Sequence, residues 1–311
     1  MTNEDSDTLV WHYTTADGIL GMIRDREIWA THSRFMNDKV EGEVMHAAIS
    51  NFIESKGDLP PSQMSMIEMQ YSFLTSNMYP HNTRVPAGNM FLLCGSRDND
   101  ALTLWRNYAR EEVSFAVGLN PNAPLGIIQS EKHQSPRTRD VAPWRDVEYT
   151  SEFDKLPQHL AMSLREAAQS RDQGDQIVNI SSELRRILSG VKHSAFEDER
   201  ETRAAFFCDG TIDWHFRSGR FGITPYVKIG TSDRWGLSSD RSRRLPIEAI
   251  RLSANATEAD ILALNALLES NGFAFGTIYD EFLDENGFAT HGSVGYEHPL
   301  PVSQSRHPLR G

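Results

Sequence analysis

The chain has 311 residues with 31 basic and 43 acidic side chains, a net charge of −12, so it can bury a large core and repels polyanions: any nucleic-acid contact has to be local. Hydrophobic residues at 39% and charged residues at 24% exclude the disordered and collagen-like classes. Cys94 and Cys208 both stand in apolar stretches and read as reduced, buried thiols, while a polar, acidic start and the lack of a long apolar run point to a soluble cytoplasmic protein without a membrane span.

Leu9 to Tyr13 reads as a short strand, followed by Thr14-x-x-Asp17 as a capping box for a helix with Ile19, Leu20, Met22 and Ile23 on one face. A second strand is expected at Glu27 to Thr31. Asn37-Asp38 offers a cap for a helix from Val40 to Ile53 that Pro60-Pro61 ends, and Ser62 to Leu74 is a further amphipathic, Met-rich segment. Met90 to Gly95 suits a strand buried on both faces, Val113 to Leu119 is another strand, and a helix with Trp105-Arg106-Asn107-Tyr108 lies between them. Helical patterning dominates from Leu156 to Gly190, strand character returns from Arg203 to Ile229 and at Ile247 to Leu252, and Glu258 to Leu268 is an amphipathic helix. Ser303 to Gly311 reads as a frayed tail.

No Gly-rich phosphate loop, His-Glu-x-x-His helix or paired Cys-x-x-Cys is present, and the 11 histidines are scattered, so no metal site is expected. Three constellations remain. Trp11-His12-Tyr13-Thr14 ends the opening strand, where alternation sends His12 and Thr14 to one face and Tyr13 to the other. Phe196-x-x-Glu199-x-Glu201-x-Arg203, read with a period of two, puts both carboxylates and the guanidinium on one strand face, either as chemistry or as an ion pair on a solvated face. Trp105-Arg106-x-Tyr108 sets an aromatic, a permanent cation and a second aromatic on one helix, to bind a phosphate or to pack. Asn37-Asp38-x-x-Glu41 belongs to the same cleft or caps a helix.

The order of these pieces resembles the bacterial domain-of-unknown-function family DUF2971. The residues that carry the resemblance are His12-Tyr13-Thr14, Phe35-x-Asn37-Asp38-x-x-Glu41, Leu104-Trp105-Arg106-x-Tyr108 with Ala116-x-Gly118, Glu148-Tyr149, Phe196-x-x-Glu199-x-Glu201-x-Arg203, Phe216-Arg217, Pro225-Tyr226-Val227 and Val302-x-x-Ser305-x-x-Pro308-x-Arg310. The sequence departs from that pattern at Thr202, where Trp is usual, and at Lys39-Val40, where Pro-Phe is usual. The family is in turn distantly similar to ADP-ribosyltransferases. The resemblance therefore implies a single α+β domain over residues 1–311, an ADP-ribosyltransferase-like split β-sheet core with helical insertions at about 40–78 and 155–190.

It also implies NAD as substrate, with no metal. Loss of neutral nicotinamide leaves a ribosyl oxocarbenium ion, which a carboxylate on the 2′-hydroxyl stabilises; Glu201 takes that role and Glu199 orients or deprotonates the acceptor. His12 holds the adenosine-side ribose, Tyr13 or Tyr108 stacks on nicotinamide, Arg106 meets the pyrophosphate, and Thr14, Asn37, Trp105 and Arg203 complete the NAD-binding set. By analogy the protein is an intracellular toxin or anti-phage effector with a macromolecular acceptor and a regulatory partner or antitoxin. The competing expectations are a NAD glycohydrolase, and a non-catalytic nucleic-acid-binding or sensor module with Arg234, Arg241, Arg243, Arg244 and Arg251 as a basic patch or merely a solvated face.

Overall fold

Strands form where the chain runs apolar or alternates, and the computed structural model describes residues 8–36, 39–55, 59–75, 90–108, 113–128, 142–151, 156–169, 172–208, 214–219, 222–231, 244–273, 275–278 and 300–307. Asn37, Asp38, Arg234, Arg241, Arg243 and the histidine-containing loop at 291–298 lie outside these residues. The first third holds β1 (Val10–Thr14), α1 (Ala16–Leu20), β2 (Ile28–His32), α2 (Lys39–Glu54), α3 (Pro61–Thr75), β3 (Met90–Ser96) and α4 (Leu102–Tyr108). The middle holds β4 (Phe115–Leu119), β5 (Leu125–Ile127), β6 (Trp144–Asp146), β7 (Glu148–Thr150), α5 (Leu156–Ala167), α6 (Gln173–Gly190), β8 (Val191–His193) and β9 (Glu201–Phe207). The last third holds β10 (His215–Gly219), β11 (Gly222–Thr231), β12 (Ile247–Leu252), α7 (Glu258–Ser270), β13 (Phe275–Ile278) and β14 (Leu300–Gln304).

The result is a mixed α+β architecture. Among the described residues twelve strands join one sheet in the order β10-β11-β2-β3-β1-β4-β12-β14-β13, with β5 added to β11, β9 to β3 and β6 to β9. Pairing within this sheet is antiparallel apart from β14, which runs parallel to β12 and β13, and β7 and β8 form a separate parallel pair.

β9 covers one edge of β3 along its whole length, from Met90↔Phe207 to Ser96↔Glu201. Both β1 and β2 must therefore use the other edge: β2 meets it at Phe91 and Leu92, β1 only at Ser96. Between those contacts the edge of β3 from Leu93 to Gly95 pairs with neither, and the sheet splits. Gly95 permits the closure at the end of the split, because a Cβ there would lie 2.4 Å from Val10 Cγ1 and 3.3 Å from the Trp11 carbonyl oxygen.

Alternation then assigns the faces. Phe91, Leu93, Ala204, Phe206, Ala30 and Val227 point into a core capped by Ile261, Leu264 and Leu268 of α7. Met90 and Leu92 point the other way, into a second core built with α2, α3, α5 and α6. The two helical stretches expected at 40–78 and 155–190 thus pack on each other and on the sheet face opposite the first core.

Three local expectations need correction. Thr14 is still in β1, so α1 begins after Thr15, whose side chain makes no capping bond; the capping box forms instead at Thr257 and Asp260 of α7. Ser303 and Gln304 are not frayed but part of β14, where Gln304 Nε2 donates to the carbonyls of Ser253, Ala254 and Ala256. Ser305 is buried and bonds Asp100. The third correction concerns Glu199.

Candidate functional site

The split in the sheet opens into a cavity of about 720 Å³. Its wall includes His12, Tyr13 and Thr14 of β1, Thr31 of β2, Cys94 of β3, Tyr108 of α4, and both Glu199 and Glu201. The early imidazole and the later acidic doublet, nearly two hundred residues apart, therefore face one space.

His12 bridges the gap between β1 and β3. Its Nδ1 lies 2.9 Å from the carbonyl oxygen of Cys94. A carbonyl only accepts, so Nδ1 carries the hydrogen and Nε2 keeps its lone pair. Burial, reinforced by the nearby Arg217 cation against the opposing hydrogen bond, holds the His12 pKa below its ordinary value, so the ring is neutral at pH 7.

The acidic doublet does not form as the period of two predicts. Glu199 ends a 3₁₀ segment, Ser194–Glu199, and Arg200 then turns through the left-handed region at φ 42° before β9 starts at Glu201. The turn is tied down by its neighbours: Arg97 N donates to the Arg200 carbonyl at 3.0 Å and Ser96 Oγ to the Glu199 carbonyl at 2.7 Å. Both carboxylates are thereby brought to the ammonium of Lys192, at 2.9 Å from Glu199 and 3.1 Å from Glu201. Arg203 grips Glu201 with two donors, Nε at 2.7 Å and Nη2 at 2.8 Å, and donates Nη1 to the Ser189 carbonyl. All four side chains are buried.

Two anions and two cations cancel in this cluster, which is what makes it tolerable away from water. Burial alone would raise the Glu201 pKa, but Arg203 and Lys192 override it and bring it down to about 2, so Glu201 is ionised. Desolvation likewise works against a charged Lys192, yet Glu201 and Glu199 hold its pKa above the ordinary value. Burial and the Glu201 charge push the Cys94 thiol up, so it is protonated and hydrogen-bonded to Glu201. Tyr149 Oη accepts from the Glu201 backbone N–H at 2.7 Å and fixes the strand start. The Arg203–Glu201 ion pair is thus real, but it lies under the cavity and not on a solvated face.

The other expected residues divide. Tyr108 is half-buried beside the cavity, with burial and the charges of Glu199, Cys94 and Glu201 raising its pKa, so its hydroxyl is neutral. Tyr13 presents its edge to the cavity but is committed elsewhere: its hydroxyl donates to the Asp98 carbonyl, accepts from Ala101 N, and its ring packs edge-on against Trp105. Trp105 is wholly buried, with its indole N–H on Asp100. It packs and does not line the cavity. Arg106, next on the helix, is exposed and stands outside the wall. Of the proposed basic patch, Arg244 lies over the Phe273 ring at 4.9 Å and Arg251 pairs with Asp100 at 3.3 Å, so both are engaged with their own chain.

The sequence assigns none of Lys192, Cys94 and Arg217 to the site, although Cys94 reads there as a buried thiol and Arg217 belongs to the family pattern. A lone lysine in the run Leu188-Ser189-Gly190-Val191-Lys192, seven residues before an acidic doublet, was the available signal for a buried counter-ion. Nothing in the local sequence marks Cys94 as a neighbour of Glu201. Among the described residues no group of three or more His, Cys, Asp or Glu side chains is disposed to hold a metal, and no helix is long and apolar enough to cross a membrane.

Residues 104–204 match the family described as Protein of unknown function (DUF2971). The matched stretch runs from α4 into β9 and includes Tyr108, Lys192, Glu199, Glu201 and Arg203. No curated protein and no solved structure matches the chain.

Proposed function

We propose that the cavity binds NAD and that the protein transfers its ADP-ribose group to a macromolecular acceptor, on a core of ADP-ribosyltransferase type. The observation that carries this reading is the shared wall: His12 at the end of β1 and the Glu199–Glu201 pair face one cavity at a split in the sheet.

In the proposed reaction the C1′–N bond of the nicotinamide riboside breaks and its electron pair leaves with nicotinamide, which departs neutral. Positive charge develops on the ribose ring. Glu201, fixed and ionised, supplies negative potential beside it and accepts from the 2′-hydroxyl. The thiol of Cys94, a weak donor, bonds Glu201, and a ribose hydroxyl is the stronger donor that displaces it. Glu199 takes the proton from the acceptor nucleophile as the new C1′ bond forms. The Nε2 lone pair of His12 accepts from a ribose hydroxyl, and Tyr108, nearer the acidic cluster than the committed Tyr13, gives the stacking face. By analogy the setting is cytoplasmic, as a toxin or anti-phage effector held in check by a partner.

Incubation with NAD labelled in the adenylate half and a cell lysate tests the reading, beside Glu201→Gln and Glu199→Gln. Label is expected in protein or nucleic acid with the wild type, reduced at least about a hundredfold by Glu201→Gln. Label only in free ADP-ribose would make the protein a glycohydrolase. Equal labelling by all three proteins removes the assignment of the carboxylates.

A further inference from the structure

The cation best placed to meet the phosphates of a ligand in this cavity is not Arg106 but Arg217, on the β10–β11 hairpin. Cross-strand registers put it on the same sheet face as the acidic cluster. Arg217 faces Thr224; Tyr226, two residues on, faces Thr31; Thr31 faces Leu92; Cys94, two residues on, faces Arg203, and Glu201 is two residues from that. Each step preserves the face.

Arg217 reaches back across this face. Its Nη2 donates to Thr31 Oγ1 at 2.9 Å, and its guanidinium lies 5.6 Å from the Trp29 ring centre and 6.0 Å from that of Tyr226, two rings that pack 4.5 Å apart. Trp29, Thr31 and Arg217 all line the cavity. The aromatic pair and the bond to Thr31 orient the guanidinium.

The electrostatic bookkeeping isolates this residue. Glu199 and Glu201 are matched by Lys192 and Arg203, and Glu27 is matched by Lys228 at 2.8 Å. The remaining carboxylate of the wall, Asp17, is exposed to water. Among the described residues no carboxylate pairs with Arg217, whose remaining guanidinium donors are left for a ligand.

Distance suits a two-ended ligand. Thr31 on β2 and Glu201 on β9 flank β3, so their strands are two spacings, about 10 Å, apart. They are offset from Leu92 to Ser96 along β3, about 13 Å. His12, bonded to the Cys94 carbonyl, sits between these levels. A ribose over Glu201 therefore leaves a phosphate-bearing segment to run past His12 toward β2.

We infer that Arg217, oriented by Thr31 and the Trp29–Tyr226 pair, binds the phosphate group of the ligand and fixes which way round it lies in the cavity. The ligand's identity as a dinucleotide rests on the reading above; the anion contact rests on the geometry alone.

Calorimetric titration of the full chain with inorganic pyrophosphate, ADP-ribose and adenosine, for wild type, Arg217→Gln and Arg217→Lys, tests this. Wild type is expected to bind pyrophosphate and ADP-ribose, Arg217→Gln to weaken both by about ten- to hundredfold, and Arg217→Lys to fall between. Adenosine binding should be unchanged, and so should the thermal midpoint of Arg217→Gln, since the side chain is exposed on an edge hairpin. Equal anion affinity in wild type and Arg217→Gln, or no anion binding by wild type, overturns the inference. Pyrophosphate binding that depends on Arg217, in a protein that neither cleaves nor transfers NAD, keeps the anion site and removes the NAD reading instead.

Discussion

The Nδ1 of His12 donates to the carbonyl oxygen of Cys94, in the stretch of the β3 edge from Leu93 to Gly95 that neither β1 nor β2 pairs with. The imidazole replaces a ladder hydrogen bond and at the same time leaves Nε2 as an acceptor. Nitrogen chemical shifts of the ring should report a neutral Nδ1–H tautomer throughout pH 6.5–8. The sign of the linked stability follows. The folded pKa is depressed below the ordinary 6.5, so the unfolded chain takes up the proton first as pH falls. The contribution of the neutral ring is complete above about 6.5 and is lost as pH falls through the folded value; an Nε2–H tautomer at neutral pH would contradict the assignment.

A second acid-side loss belongs to Glu201. Its pKa falls from the ordinary 4.5 to about 2, chiefly because Arg203 and Lys192 overcome burial. Stability from this group is complete above about 4.5 and disappears as pH falls toward about 2, amounting to roughly 3 kcal/mol. Denaturant midpoints taken from pH 6 to pH 3 should fall steadily in wild type, and less steeply in Glu201→Gln. Parallel profiles would show that the ion cluster is energetically idle.

Lys192→Met removes the ammonium that Glu199 and Glu201 share. Leaving two buried carboxylates with one guanidinium is expected to cost about 3–5 kcal/mol, read as a lower thermal midpoint. Adding Glu199→Gln to Lys192→Met restores the charge balance and should recover part of the loss. If the double variant is as unstable as the sum of the two single changes, the shared-counter-ion description fails.

Much of the fold could be read from the chain because apolar period and length decide it. Ile247 to Leu252 appears with the expected bounds, and Met90 to Gly95 and Glu258 to Leu268 extend one and two residues further, to Ser96 and Ser270. The site was less legible for physical reasons. Glu199-x-Glu201 suggested a shared strand face, but the residue between them, Arg200, adopts φ 42°, a conformation no spacing rule anticipates in a non-glycine residue. The long-range partners, Lys192 for the carboxylates and the Cys94 carbonyl for His12, depend on strand register and on an unpaired edge. Trp105 and Tyr108 stand three positions apart on one side of α4 and pack into the same aromatic cluster, but Trp105 is wholly buried whereas Tyr108, at the end of the helix, reaches the cavity wall, a difference that helical spacing does not reveal.

That last division gives its own test. Trp105→Ala should cost about 3–5 kcal/mol of stability through lost packing, with ligand affinity retained in the folded fraction. Tyr108→Ala should do the reverse, costing no more than about 1–2 kcal/mol of stability and weakening NAD binding by about tenfold. Loss of NAD affinity from Trp105→Ala alone would move the stacking face to the wrong residue.

The central claim is that His12 and the Glu199–Glu201 pair hold one dinucleotide between them, and the most direct measurement is a crystal structure with a non-cleavable NAD analogue. The account predicts ligand density inside the split, a ribose hydroxyl within hydrogen-bond distance of Glu201, and the diphosphate directed toward Arg217. Density elsewhere on the molecule, or an empty split at saturating analogue, contradicts it.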